Sequence, residues 1–206
     1  MSQRRATAVG KLAGLDGAEA FAQGVGELMH RYAVEVVAAN RLCPFLHNVE
    51  TGLGAVVVVL EAELDPERAA KFVRETGGQV VHAIFPLANR VDASPFERFG
   101  NAVSERLRRD GGDPLVHATF HPAMAGGTEN AHRLVGLLRR APDPFLQFIP
   151  PGMQDGGTVL QGMDLPKAPA SESTFERLSR DGEREKVLGL VETLLAERAR
   201  LASPFA

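Results

Sequence analysis

The sequence predicts an α/β fold: a four-stranded, mainly parallel sheet with helices on both faces, plus a C-terminal helical extension. Short runs rich in β-branched and aromatic residues alternate with longer stretches in which apolar residues recur every three to four positions. Such alternation is typical of parallel strands joined by right-handed helical crossovers. The chain has 206 residues, 44% of them hydrophobic, which is enough to bury a core without disulfides or a structural metal.

The predicted strands are short and lack strict alternation, as in strands covered on both faces. They are Ala55–Leu60, Val80–Phe85, Leu115–Phe120 and Phe145–Ile149. The predicted helices are Ala18–Leu42, Asp65–Gly77, Pro95–Arg109, Glu129–Arg140 and an amphipathic tail within Ser173–Arg200. Asp65-Pro66 has the pattern of an N-cap followed by proline, and Gly77-Gly78 ends the helix that begins there.

The chain divides into three predicted segments. We expect a flexible N-terminus over residues 1–17, an α/β domain over 18–163, and a linker with an amphipathic helix over 164–206. The C-terminal helix carries apolar residues on one side, which predicts that it packs on the domain or on a partner subunit in a homo-oligomer. These residues are Val187, Leu188, Val191, Leu194 and Leu195.

Composition excludes several classes of function. A formal net charge of −3 argues against a protein that tracks nucleic-acid phosphates. No apolar run approaches the roughly 20 residues of a membrane-spanning helix. The single cysteine, Cys43, excludes an internal disulfide framework and fits a reducing compartment, so we expect a cytoplasmic protein. The sequence also lacks the GxSxG, Walker A and HExxH patterns.

Two predicted strands nearly repeat each other, and each places a histidine at the same position. Val80–Phe85 contains His82, and Leu115–Phe120 contains His117. The fourth strand has Gln147 at this position. If these strands are neighbours in that register, the three side chains form a polar row, either hydrogen-bonded within the core or functional.

Polar residues also follow the predicted strands, where open parallel sheets commonly bind ligands. His121 ends the third strand, directly before Pro122. The candidate ligand-binding residues of the adjoining loops are Asn89, Arg90, Thr128, Glu129 and Asn130. Gly126-Gly127-Thr128 fits either a backbone cradle for an anion or a plain turn in which Thr128 caps the next helix.

Cys43 stands at the end of the first predicted helix, before Pro44. Its thiol fits a nucleophile paired with a histidine, a thiolate ligand to zinc or iron, a haem thiolate, or a small buried apolar residue. A helix C-terminus raises the pKa of a thiol, so activation requires a nearby cation, histidine or metal.

Three short motifs carry a resemblance to a known family. Leu42-Cys43-Pro44-Phe45, Ala118-Thr119-Phe120-His121-Pro122 and Leu137-Leu138-Arg139 resemble the uncharacterised bacterial proteins grouped as domain of unknown function 1415. The similarity covers roughly Val25 to Arg140 and identifies the chain as a divergent member. It directs attention to Cys43 and His121 and implies no activity.

We therefore expect a small-molecule enzyme with a Cys/His site at the carboxyl edge of the sheet. Cys43, His121 and His117 are the candidate catalytic residues. In one version Cys43 and His121 are thiolate and acid–base group; in another they ligate haem, iron or zinc. The alternative is a non-catalytic ligand-binding or assembly module in which Cys43 and the histidines are structural.

Overall fold

The computed structural model of the protein describes residues 6–40, 54–78, 80–110, 116–149, 175–180 and 182–205. Its strands are β1 (Thr7–Val9), β2 (Ala55–Val59), β3 (Val81–Ile84), β4 (Val116–Phe120) and β5 (Phe145–Ile149). Its helices are α1 (Ala18–Arg31, continued by a π-helix over Tyr32–Ala38), α2 (Pro66–Thr76), α3 (Ala93–Arg109), α4 (Ala131–Leu138) and α5 (Glu183–Arg200). No helix in these ranges is long and apolar enough to cross a membrane.

The predicted α/β fold is confirmed, but the sheet is mixed and has five strands in the order β1-β2-β3-β5-β4. β1, β2 and β3 are parallel, whereas β5 is antiparallel to both of its neighbours. The prediction of four mainly parallel strands is therefore wrong in strand number and in the direction of β5.

The direction of β5 follows from the connection that precedes it. Phe120 at the end of β4 pairs with Phe145 at the start of β5, so the chain leaves β4 and enters β5 at the same end of the two strands. α4 has eight residues and spans only about 12 Å. The His121 N–H donates to the carbonyl of Arg139 at 3.1 Å, which holds the residue after β4 beside the residue after α4 and keeps the connection short.

The fifth strand comes from the N-terminal segment that the sequence predicts to be flexible. Thr7–Val9 pairs with Val57–Val59, and the Leu60 N–H donates to the Val9 carbonyl at 2.8 Å. The pairing makes β1 an edge strand of the sheet.

Helices cover both faces of the sheet and form two apolar cores. The core beneath α1, the π-helix, α4 and α5 includes Val58, Ile84, Phe145, Leu134 and Leu194. The core beneath α2 and α3 includes Val57, Ala83, Leu146, Phe148 and Val103. Because α5 buries Val187, Val191 and Leu194 in the first core, its apolar side packs on its own domain.

Local signals explain the helix boundaries. The Asp65 side chain accepts from the backbone N–H groups of Glu67 and Arg68, with Pro66 at the first helical position, as predicted for α2. Gly77 ends that helix with a φ of 65°, which favours glycine. Within the first core, the Tyr32 hydroxyl donates to the carbonyl of Leu138 at 2.5 Å and joins the π-helix to α4.

Candidate functional site

Strand register defines two edges of the sheet, the amino edge where β2, β3 and β4 begin and the carboxyl edge where they end. One cross-strand row at the amino edge consists of Ala55, Val81, Phe148 and His117. The corresponding row at the carboxyl edge consists of Val58, Ile84, Phe145 and Phe120. His117 and His121 therefore lie at opposite edges.

His121 is a buried histidine with both ring nitrogens engaged. It is 1% exposed, its Nε2 lies 2.9 Å from the Val91 carbonyl, and its Nδ1 accepts from the Ala123 N–H at 3.0 Å. These partners require the Nε2–H tautomer. Burial lowers the pKa of His121, although the Val91 carbonyl opposes this shift. The neutral ring joins the loop after β3 to the loop after β4.

His117 differs because one of its ring nitrogens remains available. Its Nδ1 shares a 2.7 Å hydrogen bond with the hydroxyl of Ser104, a buried residue of α3. Among the described residues, none forms a hydrogen bond with Nε2. Burial lowers the pKa of His117, while Glu97 raises it and Arg139 lowers it. The side chain is half-buried, so His117 is an oriented, neutral imidazole at the edge strand β4.

α3 approaches β4 closely beside this ring because of Gly100. A Cβ atom at Gly100 would lie 3.2 Å from His117 Nε2, 3.2 Å from Thr119 Oγ1 and 2.8 Å from Leu146 Cδ2. A contact of 2.8 Å is too short for a real Cβ atom, so the neighbours of any larger residue would have to shift. Gly100 therefore sets how deeply the ring sits beneath α3.

The predicted polar row forms only in part. His82 is paired with Gln147 in the strand register, and the Gln147 amide nitrogen lies 2.9 Å from His82 Nε2. Both residues are buried. Ala118 stands opposite Gln147, and His117 stands opposite Phe148. The prediction that His117 belongs to this row is wrong, since its side chain points to the other face of the sheet.

A buried ionic cluster at the carboxyl edge was not expected from the sequence. Asp143 is 3% exposed, and Arg198 Nε lies 2.7 Å from each of its carboxylate oxygens. Asn89 Nδ2 donates to Asp143 at 2.8 Å and to the Pro86 carbonyl at 3.1 Å. Burial raises the pKa of Asp143, and Arg198 acts in the opposite direction. The cluster joins the end of α5 to the loops of this edge.

No local sequence signal points to this cluster. Asp143 lies between two prolines and has the pattern of a turn residue, and Arg198 lies in a charged helix end. Asn89, predicted to bind a ligand, donates to Asp143 and to the Pro86 carbonyl, and its ligand binding stays a prediction.

The other predicted ligand-binding residues lie on the surface of the same edge. Arg90, Thr128 and Glu129 are exposed. Asn130 caps α4 by accepting from the Arg133 N–H at 2.9 Å, so the cap is Asn130 and the expectation of Thr128 is wrong. Glu129 forms an ion pair with Arg133 at 3.5 Å, so Arg133 is a partner of both Glu129 and Asn130. No hydrogen bond or ion pair between described residues joins Arg90 to this group.

Two glycines, Gly126 before α4 and Gly136 within it, have a packing role. A Cβ atom at Gly126 would lie 2.1 Å from the backbone nitrogen of Leu137, and one at Gly136 would lie 2.1 Å from the Ala125 carbonyl oxygen. This loop therefore packs directly on the helix backbone, which favours the plain turn over the anion cradle.

Cys43 lies outside the described residues, and so does its predicted contact with His121. The nearest described residue is Asn40, three positions before Cys43 and just after the π-helix, where its carbonyl accepts from Arg177. Gly54, eleven positions after Cys43, is at the amino edge, beside the row that contains His117. His121 offers no unengaged ring nitrogen to haem iron or zinc. In the described part of the chain, no three His, Cys, Asp or Glu side chains are grouped so as to hold a metal ion.

No family model, curated protein or solved structure matches this chain. The resemblance to domain of unknown function 1415 stays a prediction from the quoted motifs. The geometry of the histidines and the register of the strands are therefore the observations that bear on function.

Proposed function

We propose that the protein is a small-molecule enzyme in which Cys43 supplies a thiolate and His117 is the acid–base group. The observation that carries the proposal is the environment of His117. One ring nitrogen is held by Ser104 at 2.7 Å, and the other is left without a hydrogen bond among the described residues. A general base needs this combination of fixed orientation and an available nitrogen.

Comparison of the histidines supports His117 over His121. Using His121 as an acid or base requires breaking its bond to Val91 or to Ala123, whereas His117 needs no such change. Because burial lowers the pKa of His117, its imidazole is neutral at pH 7 and can accept a proton. This choice moves the proposed site from the carboxyl edge to the amino edge.

The strand register is compatible with a pairing of Cys43 and His117. His117 stands in the same cross-strand row as Ala55, three strand spacings or about 14 Å away. The eleven residues from Pro44 to Gly54 can extend more than about 33 Å, which exceeds this separation.

The proposed chemistry uses the tautomer in which His117 Nδ1–H donates to Ser104 Oγ, and it begins with transfer of the Cys43 thiol proton to His117 Nε2. The resulting thiolate attacks an electrophilic carbon of the substrate, so that a sulfur–carbon bond forms while the bond from that carbon to the leaving group breaks, and the imidazolium gives its proton to the leaving group. Water, losing a proton to His117, then displaces the sulfur from the carbon, and that proton returns to restore the thiol. A haem or metal centre built on Cys43 and His121 is less well supported, because both ring nitrogens of His121 bind backbone groups.

The rate of Cys43 alkylation by iodoacetamide, measured against pH, tests the pairing without a known substrate. The chain has one cysteine, so mass spectrometry reports this thiol alone. We expect a midpoint below the ordinary thiol value of about 8.5. The His117→Gln variant should return the midpoint toward that value. His132→Gln, which changes an exposed histidine of α4, is the matched control and should leave the midpoint unchanged.

Two results would overturn the proposal. A parent midpoint at or above about 8.5 would show that no group activates the thiol. A lowered midpoint that His117→Gln leaves in place would assign the activation to another residue. The first result favours the alternative of a binding or assembly module in which Cys43 and the histidines are structural, whereas the second keeps an activated Cys43 and removes His117 as its partner.

A further inference from the structure

β4 is an edge strand, with a neighbouring strand on one side only, and a single hydrogen bond shows which of its residues direct their backbone groups to the unpaired side. The Phe85 N–H donates to the Pro144 carbonyl at 2.8 Å, so residues 144, 146 and 148 direct their backbone groups toward β3. Residues 145, 147 and 149 then face β4 and bond to residues 120, 118 and 116. The backbone groups of His117 and Thr119 consequently point away from the sheet.

These outward groups have no hydrogen-bond partner among the described residues. The next outward amide, that of His121, is already taken by the Arg139 carbonyl. Within the described part of this strand, the open groups are therefore two N–H and two C=O groups. β1, the edge strand on the other side of the sheet, is only three residues long.

β4 also lacks the features by which proteins usually block an edge strand. Val116–Phe120 contains no charged residue and no proline, and it pairs with β5 residue by residue without a bulge. An approaching strand therefore meets no charged side chain and no missing donor within these five residues, and the Arg139 guanidinium, 5.8 Å from the ring centre of Phe120, lies at their carboxyl end.

We propose that two copies of the chain pair through β4 in an antiparallel, two-fold symmetric manner centred on Ala118. The N–H of His117 donates to the carbonyl of Thr119 of the partner subunit, and the N–H of Thr119 donates to the carbonyl of the partner's His117. The symmetric pair of bonds forms as well. All four outward groups of each copy are then bonded, and the two sheets become one sheet of ten strands.

A second copy is the occupant because the edge is complementary to itself. The two outward residues are equally distant from Ala118, so a two-fold axis there aligns every outward donor with an acceptor. The strand contains no charged residue, so no like charges stand directly opposite each other within the paired residues. The inference does not depend on the function proposed above.

Sedimentation velocity over a concentration series tests the dimer with a charge swap. Ala118 faces its own copy across the axis at the closest cross-strand distance, about 4.5 Å between Cα atoms. We expect the parent to be a dimer and Ala118→Glu and Ala118→Lys each to be monomers. An equimolar mixture of the two variants should recover the dimer. Thr7→Lys places a charge on the exposed residue of β1, the other edge strand, and should leave the dimer intact.

A parent that stays monomeric at every concentration would overturn the proposal. So would a dimer that persists in both Ala118 variants, which would favour contact through α5. Amide hydrogen exchange on the parent covers the case in which the variants fail to fold. His117 and Thr119 should gain protection as concentration rises, whereas Ala118 and Phe120 should be protected throughout. Concentration-independent exchange at His117 and Thr119 would contradict the pairing.

Discussion

Replacement of Arg198 by methionine tests whether the buried ion pair holds the C-terminal helix to the domain. Arg198 Nε contacts both oxygens of Asp143 at 2.7 Å, and its guanidinium lies 5.3 Å from the ring centre of Phe21. Its side chain is 12% exposed, and that of Asp143 is 3% exposed. Methionine fills much of the same volume, but it leaves the carboxylate with Asn89 as its remaining hydrogen-bond donor among the described residues.

The expected loss is large because one charge remains buried. Breaking a buried pair by removing one partner costs about 3–5 kcal/mol. For a chain of this length, that loss lowers the Tm by roughly 6–20 °C. The double variant Arg198→Met/Asp143→Asn removes both charges and should recover much of the loss.

The loss in Arg198→Met should also depend on pH. Burial raises the pKa of Asp143, and removing Arg198 removes the main opposing influence. A raised carboxyl pKa means that the folded state binds the proton more tightly than the unfolded state, whose pKa is about 3.9. The variant should therefore recover stability as pH falls through the raised pKa, where the neutral acid forms.

Urea denaturation followed by circular dichroism measures these free energies. Arg109→Met is the matched control, because Arg109 is 65% exposed and pairs with Glu105 on the surface of α3. It should cost no more than about 0.5 kcal/mol. A loss below about 1 kcal/mol in Arg198→Met would refute the reasoning, since it would mean that the pair is solvated.

Three further changes test other parts of the structure. Tyr32→Phe removes the donor to the buried Leu138 carbonyl and should cost about 1–2 kcal/mol in urea denaturation; an unchanged stability would contradict the contact. Gly126→Ala places a Cβ atom against the Leu137 backbone and should cost about 1–3 kcal/mol, and a stabilised variant would show that the loop is not so close. Burial lowers the pKa of His121, so the unfolded state binds more protons and stability should fall as pH drops below about 6.5. His121→Gln should flatten that pH dependence, and an equal slope in parent and variant would contradict this interpretation.

The sequence predicts the long elements well because their periodicity is strong. The α/β class, β2 to β5 as strands and the start of α2 follow from apolar spacing and from the Asp65-Pro66 cap. β1 was not predicted, since three residues are too few to show a strand period. The direction of β5 has no sequence signal, because a strand reads the same in either direction.

The candidate site was harder to predict because it depends on pairing between distant strands. His82 and His117 occupy equivalent positions in nearly repeated strands, yet β5 lies between β3 and β4 and places them on opposite faces. The roles of Ser104 and Asp143 depend on tertiary contacts, which no local pattern contains. The position of His121 directly after a strand correctly predicts that it lies at the carboxyl edge of the sheet. It does not show that both of its ring nitrogens bind backbone groups.

Ring-nitrogen NMR of the histidines before and after Cys43 alkylation tests the central claim most directly. We expect alkylation to shift the ring-nitrogen resonances of His117. The resonances of His121 should stay unchanged, at the positions of the Nε2–H tautomer that its two backbone partners require. The opposite result, a shifted His121 beside an unchanged His117, would contradict the proposed site at the amino edge and restore the site at the carboxyl edge.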